Sequence, residues 1–395
     1  MQHRPQSNSA LMVAVLSSGI FCITTGVVLT AALLVDLSRE FNTTVTAVGQ
    51  LITLTAISWG LLAPIIGPLS DRFGHKRTAL WGLTIYGIAM LGYSISRDFS
   101  VLAGFSILAG LGGAATGPNI IAIVGDYFPP NNISRRMAMV IAGIPLASLA
   151  GVPLGALIAG SLGWRWSFLT LGLFMIAIAL TGIFALPPSH RQHEDKGITY
   201  LSSFSKAFRH RPLLPLLAAN TLLQAAYWTV ATYLVAFLIQ SYSLSTGQVA
   251  PLLLLMGIGQ LVGTLAGGSL ADNFSKSKIC LLTQVFSGLI SLVFMLFTKN
   301  IWLSVFLGAL FMGLYGSTRT PVVVLMVSVS GSDIRGTIMG MLAATNQWGR
   351  GLGALAGGLM LALLGYNYLG VLCLVLSLLA ATIFFYVSFF LQEPG

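Results

Sequence analysis

Long apolar runs, separated by short polar clusters, follow one another along the whole chain. They fall at about 11–35, 47–69, 78–96, 100–125, 137–162 and 166–187, then at 213–240, 248–270, 279–298, 301–328, 338–364 and 367–391. Each is near the roughly 20 residues an α-helix needs to cross the hydrocarbon core of a bilayer. Hydrophobicity does not alternate within the runs as barrel strands require. Glycine recurs throughout, 44 in all, which suits helices that approach closely through small residues. The pattern predicts an all-α integral membrane protein of twelve transmembrane helices. The first run is too long for a signal-peptide core and no small-residue cleavage site follows it, so it reads as the first span. The only long polar stretch includes His190, Arg191, His193, Glu194, Asp195 and Lys196. It predicts a six-helix half over 1–187, a cytoplasmic linker over 188–212 and a second six-helix half over 213–395.

Composition sharpens this picture. Of 395 residues, 56% are hydrophobic and 8% charged, whereas a soluble domain carries about a quarter charged residues. A soluble enzyme and a nucleic-acid binder are both excluded, despite a net charge of +10. The basic residues sit in short loops and act as orientation signals. With the N-terminus in the cytoplasm, 14 Lys and Arg lie inside, 4 outside, and 2, Arg319 and Arg350, within spans. Both termini are therefore expected in the cytoplasm of a multi-pass protein of the cell membrane, the bacterial inner membrane being the expected one. Cys22, Cys280 and Cys373 all fall inside apolar runs and imply no disulfide framework. There is no Ser/His/Asp set, metal-ligand spacing or phosphate loop, so no enzyme activity, metal or cofactor is expected.

The halves repeat each other. Gly67-Pro-Leu-Ser-Asp71-Arg-Phe73 returns as Gly268-Ser-Leu-Ala-Asp272-Asn-Phe274, Arg135 with Met139 as Arg335 with Met339, and Leu154-Gly-Ala-Leu157 as Leu352-Gly-Ala-Leu355. The offset stays close to 200 residues. Duplicated halves are a transporter architecture, with the substrate site between them near the midplane.

Gly67-Pro-Leu-Ser-Asp71-Arg72-Phe-Gly74-His75-Lys76-Arg77 resembles the loop signature of the major facilitator superfamily between spans two and three. The resemblance implies a conformational latch of Gly67, Asp71, Arg72, Gly74, Lys76 and Arg77, with Asp126, Arg135 and Arg136 as partners on the cytoplasmic side. His75 stands where the family usually has Arg or Lys, which makes that position titratable. In span five, Gly143-Ile-Pro145 and Gly151-Val-Pro153-Leu-Gly155 are similar to the Gly/Pro-rich segment of the twelve-span drug:proton antiporter branch, among sugar-efflux and purine-efflux type exporters. Gly151, Pro153 and Gly155 are expected to make a close helix seam. Two departures bear on coupling: Ser106 stands where that branch carries a span-four Arg, and no carboxylate lies in a span centre. Asp36, at the outer end of span one, is the nearest candidate proton site, beside a capping or interface role for the same residue.

A charge in the bilayer core costs about 2.5–3.5 kcal/mol on insertion scales. Arg319 and Arg350 have no acidic partner within the spans, so at least one is expected to meet an anionic or electron-rich part of the substrate, the alternatives being bonds to backbone carbonyls at a kink or, for Arg319, snorkelling inward. Asn346 stands one turn from Arg350, and Tyr315 one turn from Arg319. Span seven adds Asn220, Gln224, Tyr227 and Trp228, and span four adds Asn119 as a secondary candidate. The expected function is secondary transport. Efflux of a small amphipathic metabolite or drug leads, an organic-anion carrier is the alternative, and a sensor or lipid scramblase on the same fold is a remote one. The expected partners are a small-molecule substrate, protons as a candidate co-substrate, and the lipid bilayer. Nucleic acid is not a partner, and a monomer is expected.

Overall fold

A computed structural model describes residues 7–128, 130–187, 212–297, 300–328 and 335–391. The linker expected at 188–212 lies outside the described residues except for Pro212. Twelve long helical units cross the molecule: α1 (Ser7–Ala32), α2 (Val45–Phe73), α3 (His75–Ile95), α4 (Phe99–Tyr127), a composite α5, α6 (Trp164–Ala185), α7 (Leu213–Tyr242), α8 (Thr246–Asn273), α9 (Lys276–Phe297), α10 (Ile301–Ser328), α11 (Arg335–Leu364) and α12 (Asn367–Leu391). Among the described residues there is no strand. Eleven of the twelve are long and apolar enough to cross a membrane. The exception is α11, which carries Asn346, Gln347 and Arg350 through its middle.

Local signals set the ends. Thr44 accepts from the Ala47 N–H at 3.1 Å to start α2, and Ser245 with Gln248 forms a capping box at the start of α8. Gly163 and Gly365 turn the chain at φ 97° and 90° into α6 and α12, a backbone region that strains any other residue. The α2–α3 turn uses Gly74 at φ 92°. These features repeat with the halves: among the described residues, Asn42 and Ser243 are the two non-glycine residues with positive φ, each two residues before a capping Thr44 or Ser245.

The helices form two six-helix halves with matching contacts. α2 packs on α4 as α8 does on α10, α3 on α6 as α9 does on α12, and α3 on α4 as α9 does on α10. Across the middle, α2 meets α11, α5 meets α8, and α1 meets α7. Two local departures from straight spans matter. After Ala32 the chain breaks and restarts as a short helix, Leu34–Glu40, which places Asp36 beyond the first span. The composite α5 runs Pro130–Ile141, Gly143–Leu146, a π turn at Ala147–Gly151, and Val152–Leu162. Pro153 has no N–H to give to the Leu149 carbonyl, and its ring would crowd that carbonyl in a regular helix, so the turn widens there.

Candidate functional site

The end of the bundle bearing the α2–α3 turn is here called the motif end, and the other the far end. At the far end the halves touch. Within the C-terminal half, the Tyr233 hydroxyl (α7) donates to the Ala354 carbonyl (α11) at 3.0 Å, which holds the ring where α2 meets it. A Cβ on Gly49 (α2) would strike the Tyr233 ring, and one on Gly358 (α11) would strike Gln50 and Tyr233. Gly160 of α5 lies against Gly247 of α8, backbone to backbone. Thr246 of α8 donates to Asp36 Oδ2 at 2.6 Å. At the motif end, Gly67, Gly268 and Gly340 have no heavy atom within 4 Å of where a Cβ would stand. Among the described residues, the halves therefore touch at the far end and not around these three glycines.

Between these ends lies a polar cluster within an apolar bundle. Asn346 Oδ1 (α11) accepts from Asn220 Nδ2 and from Gln224 Nε2 (both α7), each at 2.9 Å. Gln224 Oε1 accepts from the Tyr315 hydroxyl (α10) at 2.8 Å. Asn220 Nδ2 also donates to Thr345 Oγ1 at 2.9 Å. Tyr315 stacks on Tyr227 with ring centroids 3.5 Å apart, and Phe311 extends the stack at 5.7 Å from Tyr227. Arg319, one turn toward the motif end, holds its guanidinium carbon 5.9 Å from the Tyr315 ring.

One turn toward the far end is Arg350. Its guanidinium carbon sits 4.8 Å from the Trp228 ring of its own half and 5.7 Å from the Trp59 ring of the other. Both distances are within cation–π range. Its Nε and Nη1 are buried with no hydrogen-bond partner. Buried donors without acceptors cost roughly 1–3 kcal/mol each, more when charged. Such an arrangement can hold an acceptor-bearing ligand at Arg350 and an apolar or aromatic body against the surrounding rings.

Arg319, Arg350, Asn346, Gln224, Tyr227 and Trp228 thus come together, joined by Asn220 and Tyr315. Asn119 does not join them. It is buried in α4, where its Nδ2 donates to the Ala115 carbonyl at 2.8 Å and its Oδ1 faces His75 Nδ1 at 2.9 Å. With the amide N–H so committed, Oδ1 is the acceptor and Nδ1 carries the hydrogen. Trp59 and Phe311 were not among the residues read from the sequence. Trp59 had a usable signal: it lies mid-helix in α2, away from the helix ends where tryptophan belts form.

The loop signature takes a specific form. His75 Nε2 lies 4.0 Å from Asp71 and 3.7 Å from Asp126, so α2, α3 and α4 meet at one imidazole. Asp126 therefore faces His75 in this conformation, while Arg136 lies over the Phe128 ring at 5.4 Å. Lys76 donates to the Ile183 carbonyl at 2.7 Å and to that of Leu186, closing the end of α6. Arg72 lies over the Phe73 ring at 5.8 Å. Arg77 and Arg135 are exposed, and Gly74 is buried at its turn. In α5, Gly151 meets Thr25 and Phe21 of α1, and Gly155 meets Leu29, so the Gly/Pro segment seams α5 to α1. Asp36 is partly buried, and that burial pushes its carboxyl above the usual range, against the opposing pull of the Thr246 hydroxyl and Arg39.

The Major Facilitator Superfamily profile matches residues 16–266 and 216–395, and the chain belongs to that family. Known proteins similar to it include the inner membrane transport protein YdhP of Escherichia coli O157:H7, 26% identical over 384 residues (94% of each chain). Another is the MFS-type transporter YwfA of Bacillus subtilis (strain 168), 24% identical over 376 residues (93% of this chain, 90% of YwfA). The crystal structure of a bacterial homolog to the human lysosomal transporter Spinster, inward-facing and unoccupied, superposes with a TM-score of 0.80 at 15% identity, covering 99% of both chains. The chain is a multi-pass membrane protein and a secondary transporter, not an enzyme.

Proposed function

We propose that this transporter carries small amphipathic organic anions by alternating access, with the Arg350 cluster as its binding site. The observation that carries the reading is the pair of buried, unpartnered guanidinium nitrogens on Arg350 between two indole rings. The surrounding amides give it partial support. Asn346 spends its oxygen on two donors and Gln224 accepts from Tyr315, so the guanidinium and the Asn346 N–H groups face the site as donors, with Gln347 Oε1 of α11 as a buried acceptor without a partner. A site rich in donors favours carboxylate, sulfonate or phosphate groups and disfavours ammonium ions. Tyr227, Tyr315, Phe311, Trp59 and Trp228 supply apolar area for the rest of the molecule.

Export from the cytoplasm is the proposed direction, on the likeness of the α5 Gly/Pro segment to exporters. The charge bias of the loops puts the motif end and both termini in the cytoplasm of a bacterial inner membrane. The arrangement of contacts then corresponds to a cavity open to the cytoplasm. A monomer suffices, since the site is complete within one chain.

The test is a thermal-shift panel on detergent-purified protein with organic anions, cations and neutral metabolites. Anions should raise the melting temperature of the wild type. Arg350→Gln should weaken that response roughly tenfold to a hundredfold in apparent affinity, the equivalent of about 1.5–3 kcal/mol for a hydrogen bond to a charged group. Arg319→Gln should weaken it less. Stabilisation by cations or neutral compounds, unchanged in Arg350→Gln, would make the arginine structural and return the reading to multidrug or metabolite efflux.

A further inference from the structure

Among the described residues, the far-end closure contains a carboxyl at the boundary between the halves, that of Asp36. Asp36 belongs to the short helix after α1, in the N-terminal half, and Thr246 is the first residue of α8, in the C-terminal half. Their 2.6 Å hydrogen bond spans 210 residues of sequence. Beside it, Gly160 and Gly247 bring α5 and α8 into backbone contact. Parting the halves at this end must break the bond, separate the glycines and hydrate the carboxyl.

We propose that Asp36 is a proton-binding site in the far-end gate, and that proton binding there favours the conformation in which the far end is shut. The charges around it are few. Among the described residues, α1, α7 and the far-end turns of α2 and α8 bring no charged side chain to it. Arg39, on the same short helix, is the one charge acting on it appreciably. Neighbouring Glu40 is paired with Arg165 at 2.6 Å. An open basin of about 560 Å³, lined by Arg39, Gln240, Ser243, Ser245 and Gln248, lies at this end beside Thr246.

The direction follows from burial. In the shut state, loss of water raises the carboxyl above its ordinary value, while Thr246 and Arg39 oppose this without cancelling it. In the parted state the group is hydrated and returns toward the ordinary value, near 4. The shut state therefore binds the proton more tightly. Its advantage is full below the ordinary value and is lost as pH rises through the raised one. The hydroxyl of Thr246 can donate to the carboxyl in either protonation state, so the bond itself survives titration.

Spin labels at Ser161→Cys (α5) and Ser241→Cys (α7) read the gate, since both positions are exposed and the native Cys22, Cys280 and Cys373 are fully buried. Distance distributions of the full chain in nanodiscs would be followed from pH 4 to 8. In the wild type, acid should enrich the short distance, by at most about tenfold per pH unit for one proton. Asp36→Asn, a neutral mimic that still accepts the bond, should stay shut and ignore pH. Thr246→Val should enrich the long distance, and Thr246→Ser should restore the short one. An Asp36→Asn variant that titrates like the wild type would overturn the proton site. A Thr246→Val variant with an unchanged distribution would overturn the gate. The readout is conformational, so it stands apart from the outcome of the anion panel.

Discussion

Gln224 holds three helices together with one amide. Its Nε2 reaches Asn346 of α11 and its Oε1 receives the Tyr315 hydroxyl of α10, while its own backbone is in α7. Replacing it with leucine would leave the buried Tyr315 hydroxyl without its acceptor and loosen the Tyr227–Tyr315 stack. Gln224→Leu should lose about 1–3 kcal/mol of stability and much of the discrimination between anions. A melting temperature and an anion ranking equal to those of the wild type would show that the amide is dispensable. The sequence made this cluster partly legible: Asn220, Gln224, Tyr227 and Trp228 follow helical spacing, and the arginines were conspicuous in apolar runs. Trp59 was not among the residues read, and Asn119 was read only as a secondary candidate. What each touches is decided by helices packed from elsewhere in the chain, Trp59 by α11 of the other half and Asn119 by the first turn of α3.

Among the helices, α8 and α10 approach backbone to backbone along much of their length. A Cβ on Gly259, Gly263 or Gly267 would strike the backbone of Ala309, Gly313 or Ser317. That is a glycine at every fourth position facing small residues, which lets backbones approach where apolar burial gives no drive. Gly263→Leu should force α8 from α10 and sharply reduce the yield of monodisperse protein. Gly268→Leu, whose Cβ position is open, should be tolerated in the same assay. Comparable losses in both would show that bulk, not the seam, decides. Helix number and position were readable from hydropathy, because a span must be long and apolar. The break after Ala32 and the π turn in α5 were not, because nothing in mean hydropathy reports a change in hydrogen-bond ladder. Pro153 marked the second only as a place where some irregularity was due.

At the scale of the whole molecule, two halves touch at the far end and not around Gly67, Gly268 and Gly340 at the motif end. Paired backbone features at Asn42 and Ser243, and at Gly163 and Gly365, recur at matching places in the first and last six helices. Which surfaces of the halves touch could not be read, since each apolar face suits a lipid as well as a helix. Asp71, His75 and Asp126 tie α2, α3 and α4 of one half together at the motif end, and the loop resemblance proposes this cluster as a latch. Asp71→Asn should lower flux several-fold in reconstituted vesicles with little effect on membrane insertion. Undiminished flux would remove the latch role.

Trp59 and Trp228 come from different halves, yet their rings flank the same guanidinium. The emission of an indole responds to a charge held near its face. As the halves rock, Trp59 must change its distance from Arg350, while Trp228, on the same half as that arginine, keeps its distance. With the other five of its seven tryptophans replaced, the molecule would carry an optical gauge of its own cycle at its centre, one ring serving as signal and the other as internal reference.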